Sequence, residues 1–350
     1  MSEPAKYTIL EELAAGGMGK VFRGQLNGEA GFQRPIVIKQ LLQAGDVHLV
    51  RLFVEEARRY AVLDHENIGR IFDFDRVGDD LCIILEFIDG WSIVEYLDRH
   101  RQLERYPHIE LSVFIISRVC RALQYVFERA AIVHRDISPS NIMMTREGTV
   151  KLIDFGIATR SGTQGNSLTG KPSYMAPEMI VELRADYRSD IFSLGTVLYE
   201  MLTMERLFTG RTTAEILEKV VAGRVPPPSA RNPEIPAEVM AILRRALERD
   251  PAKRFRSAAD MGEACEHYLY DKGYGPTNLT LKQYLAALLP EEDFELEVLD
   301  EPERFPVIEP SLFPIDDAQP APQGTPTRVA IPVSGTLPPS PVDRKGGSGT

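Results

Sequence analysis

Residues 7–88 alternate between short apolar runs and breaks rich in Gly, Asn and Asp, a pattern that predicts β-strands. One segment differs, because residues 49–63 carry Leu52, Tyr60 and Leu63 at helical spacing. We therefore predict a small β-rich lobe interrupted by one helix. The predicted strands are β-branched or alternate apolar and polar positions, and they cover 7–13, 20–26, 34–41, 70–77 and 81–87.

From residue 92 onwards the apolar positions follow helical spacing. The run 111–129 is apolar on most faces and predicts a buried helix, and 189–203 and 238–250 predict two more. A sheet-rich segment followed by a helical one predicts an α+β architecture with two lobes. We expect an N-lobe at 7–88, a C-lobe at 89–272, and an appended helix at 277–290.

The last sixty residues differ from the rest in composition. Residues 291–350 hold 12 acidic and 4 basic side chains, so they carry −8 of the formal net charge of −11 and leave −3 to residues 1–290. They also hold 11 of the 25 prolines and few aromatic residues. Such a segment cannot bury enough apolar surface to offset its ordering entropy, so we predict a disordered acidic tail.

Charge and hydropathy exclude some function classes. No basic face is evident, so we expect no nucleic-acid partner. No apolar run approaches the roughly 18 to 20 residues of a membrane span, and no leader pattern is seen, so we expect a cytoplasmic protein. Three widely separated cysteines, Cys82, Cys120 and Cys265, lack metal-ligand spacing and fit buried free thiols.

Candidate chemistry begins with the stretch LAAGGMGKV at 13–21, placed between two predicted strands. Glycines there allow backbone N–H groups to approach phosphates, although a glycine-rich hairpin is more often only a turn. Lys39 follows on a strand, and Glu56 lies on the predicted helix, where the two can form an ion pair. Lys–Glu pairs are more often exposed surface pairs, so these features alone do not identify a site.

The later motifs are more specific. His134-Arg135-Asp136 with Asn141, then DFG at 154–156, then APE at 176–178, occur in one order along the chain. Phosphoryl transfer requires a carboxylate near the attacking hydroxyl, oxygen ligands for metal ions on the phosphates, and cations against the developing charge. Asp136 fits the base, and Asn141 and Asp154 fit ligands of Mg²⁺.

Taken together these motifs resemble a eukaryotic-type (Hanks-type) serine/threonine protein kinase of bacterial origin, over roughly 7–270. The resemblance implies the two-lobed kinase fold, ATP and Mg²⁺ as cofactors, and proteins as substrates. It also implies that Asp190 braces the catalytic loop and that Arg254 pairs with Glu178. The implied nucleotide-binding positions are Leu13, Ala14, Ala15, Gly16, Gly17, Met18, Gly19, Val21, Val37, Lys39, the hinge residues Glu86 and Ile88, and Met143.

Several positions depart from the family pattern. Ala14 replaces the first glycine of the loop, Val37 narrows the adenine slot, and Trp91 follows the hinge where glycine is usual. In the catalytic loop, Ser138 stands where lysine is expected, and Lys171 stands where threonine is expected before APE. We interpret the last two as a relocated charge, which gives Asp136, Lys171, Lys39 and Glu56 as the catalytic set.

Other functions remain open at this stage. A pseudokinase would dock partners through its helical lobe and its acidic proline-rich tail, and Lys171 would then merely extend into solvent. A small-molecule phosphotransferase of the same fold is disfavoured by the APE segment, which in the family shapes a peptide-docking surface. In kinases that this chain resembles, an arginine at the position of Arg135 receives a phosphate from the activation segment, which here offers Thr159, Ser161, Thr163, Ser167 and Thr169. The resemblance makes Ser167 the preferred site, since it lies where the family's activating phosphate usually sits, with Thr163 or Thr169 as alternatives. The alternative is that this Ser/Thr-rich loop is only a flexible, soluble segment.

Overall fold

A computed structural model describes residues 5–16, 19–41, 50–51, 54, 57–58, 60–78, 80–154, 170–271 and 273–289. The appended tail predicted at 291–350 lies outside these residues, as do Gly17, Met18 and Glu56. Within the described part of the chain, no helix is both long enough and apolar enough to cross a membrane.

The N-lobe is built on a five-stranded antiparallel sheet with the order β1-β2-β3-β5-β4. All five predicted strands are confirmed. Ile36, Ile38 and Ile84 are almost fully buried on one face of the sheet and form a small core with Tyr7 and Cys82. The strands are β1 Tyr7–Gly16, β2 Gly19–Asn27, β3 Gln33–Leu41, β4 Ile71–Val77 and β5 Asp80–Glu86.

The helix predicted at 49–63 is present but ends earlier. The described residues at 50, 51, 54, 57, 58 and 60 are helical, whereas 61–62 form a turn. Ala57 and Tyr60 are buried and belong to the main hydrophobic core. Ala57 and Tyr60 thus share a core with Leu41 and Ile83 of the N-lobe sheet and with the C-lobe.

The C-lobe is helical, as predicted, and surrounds a core of aliphatic and aromatic residues. Helix α2 (Ile109–Ala130) has one of its faces buried along its whole length, and α4 (Tyr187–Thr203) is buried almost completely. The prediction at 238–250 was too long, since α6 ends at Ala246. The remaining helices are α1 Ile93–Gln102, α3 Pro177–Val181, α5 Thr213–Ala222, α6 Ala237–Ala246, α7 Ala258–Tyr270 and α8 Asn278–Leu288.

A small antiparallel sheet, not predicted from the sequence, lies at the start of the C-lobe. It has the order β6-β7-β8, with β6 Gly90–Ser92, β7 Ile142–Thr145 and β8 Val150–Leu152. Its short strands carry too few residues for their alternation to stand out. The sheet matters for the site because β7 follows the catalytic loop directly and β8 leads into Asp154.

Helix α8 begins with a capping box formed by Thr277 and Thr280 and packs on the C-lobe as predicted. Leu281 and Leu285 are fully buried. Tyr284 contacts His100 of α1, and Lys282 pairs with Glu147 in the turn between β7 and β8. The appended helix is thus joined to the C-lobe core and to the small sheet.

Candidate active site

The backbone of the catalytic loop is held in place by one buried carboxylate. Asp190, near the start of α4, accepts hydrogen bonds of 2.8 Å from the amides of both His134 and Arg135. Arg135 has a φ of 69°, which is costly for a residue with a side chain, and the paired bonds stabilise it there. Burial raises the pKa of Asp190. The predicted brace between Asp190 and this loop is confirmed.

Asp136 lies beside Asn141 at the centre of the loop. Asn141 Nδ2 donates to the Asp136 carbonyl at 2.7 Å and to its carboxylate oxygen Oδ2 at 2.9 Å. The second carboxylate oxygen, Oδ1, accepts from the backbone amide of Lys171 at 3.2 Å. The carboxylate therefore has a fixed orientation, which a base near a reacting hydroxyl requires.

Asp154, at the end of the segment after β8, forms an ion pair with Lys39 of β3. Burial opposes ionisation of the Asp154 carboxyl, but Lys39 outweighs it, with smaller contributions from His134 and Lys171, so the pKa of Asp154 is lowered. Its backbone has a φ of 57°. The site thus holds an ionised carboxylate surrounded by positive charge.

Lys171 reaches the catalytic loop from the segment before APE. Its Nζ lies 3.3 Å from Ser138 Oγ and also contacts Ser140 Oγ. The preceding Gly170 has a φ of 103°, and a Cβ there would lie 2.7 Å from the Arg135 carbonyl oxygen. Glycine is therefore needed at 170 for the chain to come this close. The predicted contact between Lys171 and the Ser138 position is present.

Ser140 was not singled out from the sequence. Its hydroxyl lies 3.2 Å from Ser138 Oγ, contacts the Lys171 ammonium and lies 3.2 Å from Asn141 Oδ1. A serine two positions after Ser138 gives no signal of its own, because its role depends on a residue much later in the chain. The two hydroxyls together cradle the Lys171 ammonium.

The residues proposed to surround the nucleotide base are contributed by both sheets. In the N-lobe, Val21 lies opposite Lys39, and Val37 lies opposite Leu85. In the small sheet, Met143 lies opposite Lys151 of β8. Leu13, Ala14 and Ala15 are exposed on β1. Gly16 ends β1, Gly19 begins β2, and Glu86 ends β5 ahead of the buried Ile88.

Several predicted residues lie outside the described part of the chain. These are Gly17 and Met18 in the glycine-rich loop, Glu56 of the Lys39 pair, and the segment 155–169 with Thr159, Ser161, Thr163, Ser167 and Thr169. The Lys39–Glu56 ion pair therefore remains a prediction.

The APE segment is anchored by a buried ion pair. Arg254 contacts the two carboxylate oxygens of Glu178 at 2.7 and 2.8 Å, and its side chain is fully buried. Ser189 donates to the same carboxylate at 2.7 Å. The predicted Arg254–Glu178 pair is confirmed, and it fixes the end of the segment that carries Lys171.

The donor set fits a hard divalent cation. Asn141 uses its amide hydrogens on Asp136, which leaves its amide oxygen as the available ligand atom. Despite burial, Lys39 lowers the pKa of the Asp154 carboxyl, so Asp154 carries the ionised carboxylate that a hard cation requires. Mg²⁺ is typically bound by one or two protein ligands, with phosphate oxygens and water completing its octahedral shell.

Comparison with known proteins agrees with these motifs. Residues 7–269 match the model of the protein kinase domain. The tyrosine-protein kinase MasK of Myxococcus xanthus is 33% identical over 301 residues, which cover 82% of this chain and 47% of MasK. The serine/threonine-protein kinase PrkC of Bacillus subtilis is 33% identical over 262 residues, 73% of this chain and 39% of PrkC. The chain thus spans less than half the length of these relatives.

Among solved structures, the crystal structure of the kinase domain of Mycobacterium tuberculosis PknI is similar, with a TM-score of 0.57. It is 26% identical, and the match covers 75% of this chain and 96% of that domain. The predicted two-lobed kinase fold is confirmed. On the family match and the relatives' identity, the chain belongs to the protein kinase family, in the Hanks-type group that includes bacterial serine/threonine kinases.

Proposed function

We propose that this protein is an ATP- and Mg²⁺-dependent protein serine/threonine kinase that transfers the γ-phosphate of ATP to hydroxyls of proteins. The observation that carries the proposal is the convergence of Asp136, Asn141 and Lys171, with the ion pair of Lys39 and Asp154 as the second cluster of the site. A fold that had only a docking role would not need this set of charged side chains oriented toward one another.

In the proposed reaction, the acceptor hydroxyl oxygen forms a bond to the γ-phosphorus while the bond from that phosphorus to the leaving oxygen of ADP breaks, and Asp136 accepts the hydroxyl proton. Asn141 orients the Asp136 carboxylate through its amide hydrogens. Lys39 would bind the α and β phosphates, and Glu56 would hold Lys39 in position through an ion pair. Asn141 and Asp154 would hold Mg²⁺, which would neutralise charge on the phosphates.

Lys171 takes the part of the cation that the catalytic loop lacks. Its ammonium contacts the hydroxyls of Ser138 and Ser140. The backbone amide of Lys171 donates to the Asp136 carboxylate, so the ammonium and this carboxylate belong to the same site. A lysine acts as a point charge at the end of a flexible stem, so its origin in the chain matters less than the final position of Nζ. The position supports a role at the transferring phosphoryl group.

The proposal is tested by phosphate transfer from radiolabelled ATP, comparing the wild type with Asp136→Asn and Lys39→Met. Both variants should fold and should lose nearly all transfer, because one removes the base and the other removes a phosphate contact. If Asp136→Asn transferred phosphate at the wild-type rate, the proposed catalytic base would be wrong. If the wild type also failed to bind ATP, the pseudokinase alternative would replace this function.

The acceptor hydroxyl is part of the same test. PrkC is named a serine/threonine kinase, whereas MasK is named a tyrosine kinase. We propose serine and threonine as acceptors, and phosphoamino-acid analysis of the labelled product tests this.

We further propose a cytoplasmic location for this kinase domain, since it depends on ATP and holds the free cysteines Cys82, Cys120 and Cys265 in buried positions. The tail at 291–350 is proposed as a segment that recruits protein partners.

A further inference from the structure

The hinge residue Glu86 is held by its side chain as well as its backbone. Its amide donates to the Arg70 carbonyl at 2.9 Å. Its carboxylate oxygen Oε2 accepts from the Arg70 amide and from Lys151 Nζ, each at 3.0 Å. Glu86 ends β5, the last strand of the N-lobe sheet, whereas Lys151 lies in β8 of the C-lobe. One ion pair thus joins the hinge to the other lobe.

Lys151 occupies a central position in the site. It lies opposite Met143 in the small sheet and belongs to the strand that leads into Asp154. Its Nζ also lies 3.4 Å from the carbonyl of Ile68, in the loop that precedes β4. The side chains of Lys151 and Glu86 are only 12% and 20% exposed, so this pair is screened less by solvent than a surface pair.

We propose that Lys151 is a positioning residue for nucleotide binding. Its ammonium holds the Glu86 carboxylate and thereby fixes the main chain of 86–88 relative to Met143 and to the strand that ends at Asp154. The inference rests on the proposed function, because that function makes the Glu86 carbonyl and the Ile88 amide the contacts of adenine. Neither the motifs nor the composition pointed to Lys151.

The physical reason is preorganisation. Adenine requires the hinge carbonyl and amide at hydrogen-bonding distance while it packs against Met143, so the hinge and the small sheet must keep one relative position. Without the lysine, the mostly buried Glu86 carboxylate has no cationic partner. An unpaired buried charge is costly, so the Glu86 side chain is driven to move toward solvent. Such a move shifts the main chain that receives the base.

This arrangement predicts a particular kinetic effect. The hinge contacts are made equally in the ground state and in the transition state, because adenine does not react. Their loss therefore raises KM for ATP and leaves kcat nearly unchanged. A residue that only stabilised the fold would lower the melting temperature without changing KM, which separates the two roles.

The experiment measures KM for ATP, kcat and the calorimetric affinity for ADP in Lys151→Met, Lys151→Arg, Glu86→Gln and the double variant Lys151→Met with Glu86→Gln. We expect Lys151→Met to raise KM about tenfold with kcat within about twofold of wild type. Lys151→Arg should restore most of the affinity, and the double variant should be little worse than either single variant. The control is Lys219→Met, which removes an exposed pair with Glu215 on α5 and should leave both constants unchanged.

Three results would overturn the inference. An unchanged KM and ADP affinity in folded Lys151→Met, with an active wild type, rejects the positioning role and leaves the proposed kinase function standing. Additive effects of Lys151→Met and Glu86→Gln reject the ion pair as the cause. A wild type that neither binds ADP nor transfers phosphate rejects the proposed function, and the positioning role fails with it.

Discussion

Among single residues, Lys171 and Ser138 offer the sharpest test of the site. A preorganised donor near the transferring group contributes about 10² to 10³ in rate, so Lys171→Thr should lower kcat by about that factor. Ser138→Lys alone should add a second ammonium beside the first and help little. The double variant, Ser138→Lys with Lys171→Thr, restores the usual family pairing and should recover much of the loss. Steady-state kcat of all four proteins gives the coupling.

Simple additivity of the two changes, or a harmless Lys171→Thr, would contradict the relocated charge. Ser140→Ala provides an internal comparison, because Ser140 contacts the Lys171 ammonium without replacing any family lysine. It should lower kcat less than Lys171→Thr does, since the cation itself remains. A larger loss in Ser140→Ala would mean that the hydroxyl, rather than the ammonium, acts at the phosphoryl group.

The candidate site residues could be selected from the sequence because they belong to short contiguous motifs. Asp136, Asn141 and Asp154 each have a fixed distance from a recognisable neighbour in the chain. Ser140 and Lys151 could not be found in this way. Their roles depend on contacts with Lys171 and Glu86, which are distant in the sequence and are brought close only by the fold.

The Arg254–Glu178 pair gives a prediction for stability. Removal of one partner from a buried pair costs about 3 to 5 kcal/mol, because the other charge is left without compensation. Arg254→Met should therefore lower the free energy of unfolding by that amount, and Glu178→Met by a similar amount. The double variant should lose less than the sum of the two. Urea unfolding measures all three, and equal, additive losses would show that the two charges do not depend on each other.

At the scale of elements, long periodic segments were predicted well and short ones were missed. Helices α2 and α4 each present enough turns for their apolar spacing to be read, and both were found close to their observed bounds. Strands β6, β7 and β8 are 3 to 4 residues long, so their alternation has no statistical weight. Strands β7 and β8 pair as a hairpin across the turn at 146–149, and β6 joins them from a distant part of the chain, which no local pattern encodes.

The contact between α1 and α8 predicts a pH effect on stability. His100 Nδ1 donates to the Tyr96 carbonyl at 2.7 Å, so the neutral ring accepts from the Tyr284 hydroxyl at 2.8 Å through Nε2. Burial lowers the pKa of His100, and nearby His108 and Arg105 lower it further. The folded state therefore binds this proton less readily than the unfolded state.

Above the unfolded-state histidine pKa of about 6.5, His100 is neutral in both states and the folded state has its full stability. As pH falls below that value, only the unfolded state takes up the proton readily, so the free energy of unfolding decreases by up to about 1.4 kcal/mol per pH unit. Burial also lowers the pKa of His65, which acts in the same direction. His100→Gln should be less stable at pH 7.5 but should lose less stability between pH 7.5 and 5.5. Chemical unfolding at both values measures this.

His267→Gln is the matched control. Asp271 raises the pKa of the exposed His267, so this histidine opposes the acid loss and its removal should not flatten the pH dependence. A His100→Gln variant with the same pH dependence as the wild type would show that the buried ring is not the group responsible.

For the whole molecule, the extent of the folded domain is a separate prediction. The family match ends at residue 269, yet Leu281, Leu285 and Leu288 of α8 are buried in the C-lobe core. Truncation after residue 276 removes these side chains and should lower the free energy of unfolding by at most roughly 4 to 9 kcal/mol. Truncation after residue 290 removes only the acidic tail and should preserve catalysis. Soluble yield, melting temperature and kcat of both truncations are compared with the full chain.

Equal behaviour of the two truncations would contradict a structural role for α8. Loss of soluble expression after truncation at residue 290 would contradict the predicted disorder of the tail, which would then have to pack on the folded domain. The composition of 291–350 supports the expectation that truncation after residue 290 preserves catalysis, since the charge and proline content of the tail favour solvation over burial.

The last prediction concerns activation, and it involves Arg135 of the catalytic loop and the activation segment 155–169, which lies outside the described residues. Arg135, Arg184 and Arg188 line a cleft of about 790 Å³ next to α3, and the carboxylates of Glu182 and Asp250 also line it. A phosphate on the activation segment would form charge-assisted hydrogen bonds in this cleft and order the segment that delivers Lys171. We predict autophosphorylation at Ser167, with Thr163 or Thr169 as alternatives.

Mass spectrometry of the purified kinase, before and after phosphatase treatment, locates the phosphate. Phosphatase should lower kcat of the wild type, and Ser167→Ala should show the same low kcat with or without treatment. Arg135→Ala should still be phosphorylated by added wild-type enzyme but should gain no activity from it, because the receiving cation is absent. Arg184→Ala tests a second of the three arginines that line the cleft, since it leaves Arg135 in place and should retain most of the gain. A fully active wild type without phosphate anywhere between 159 and 169 would contradict this mode of activation.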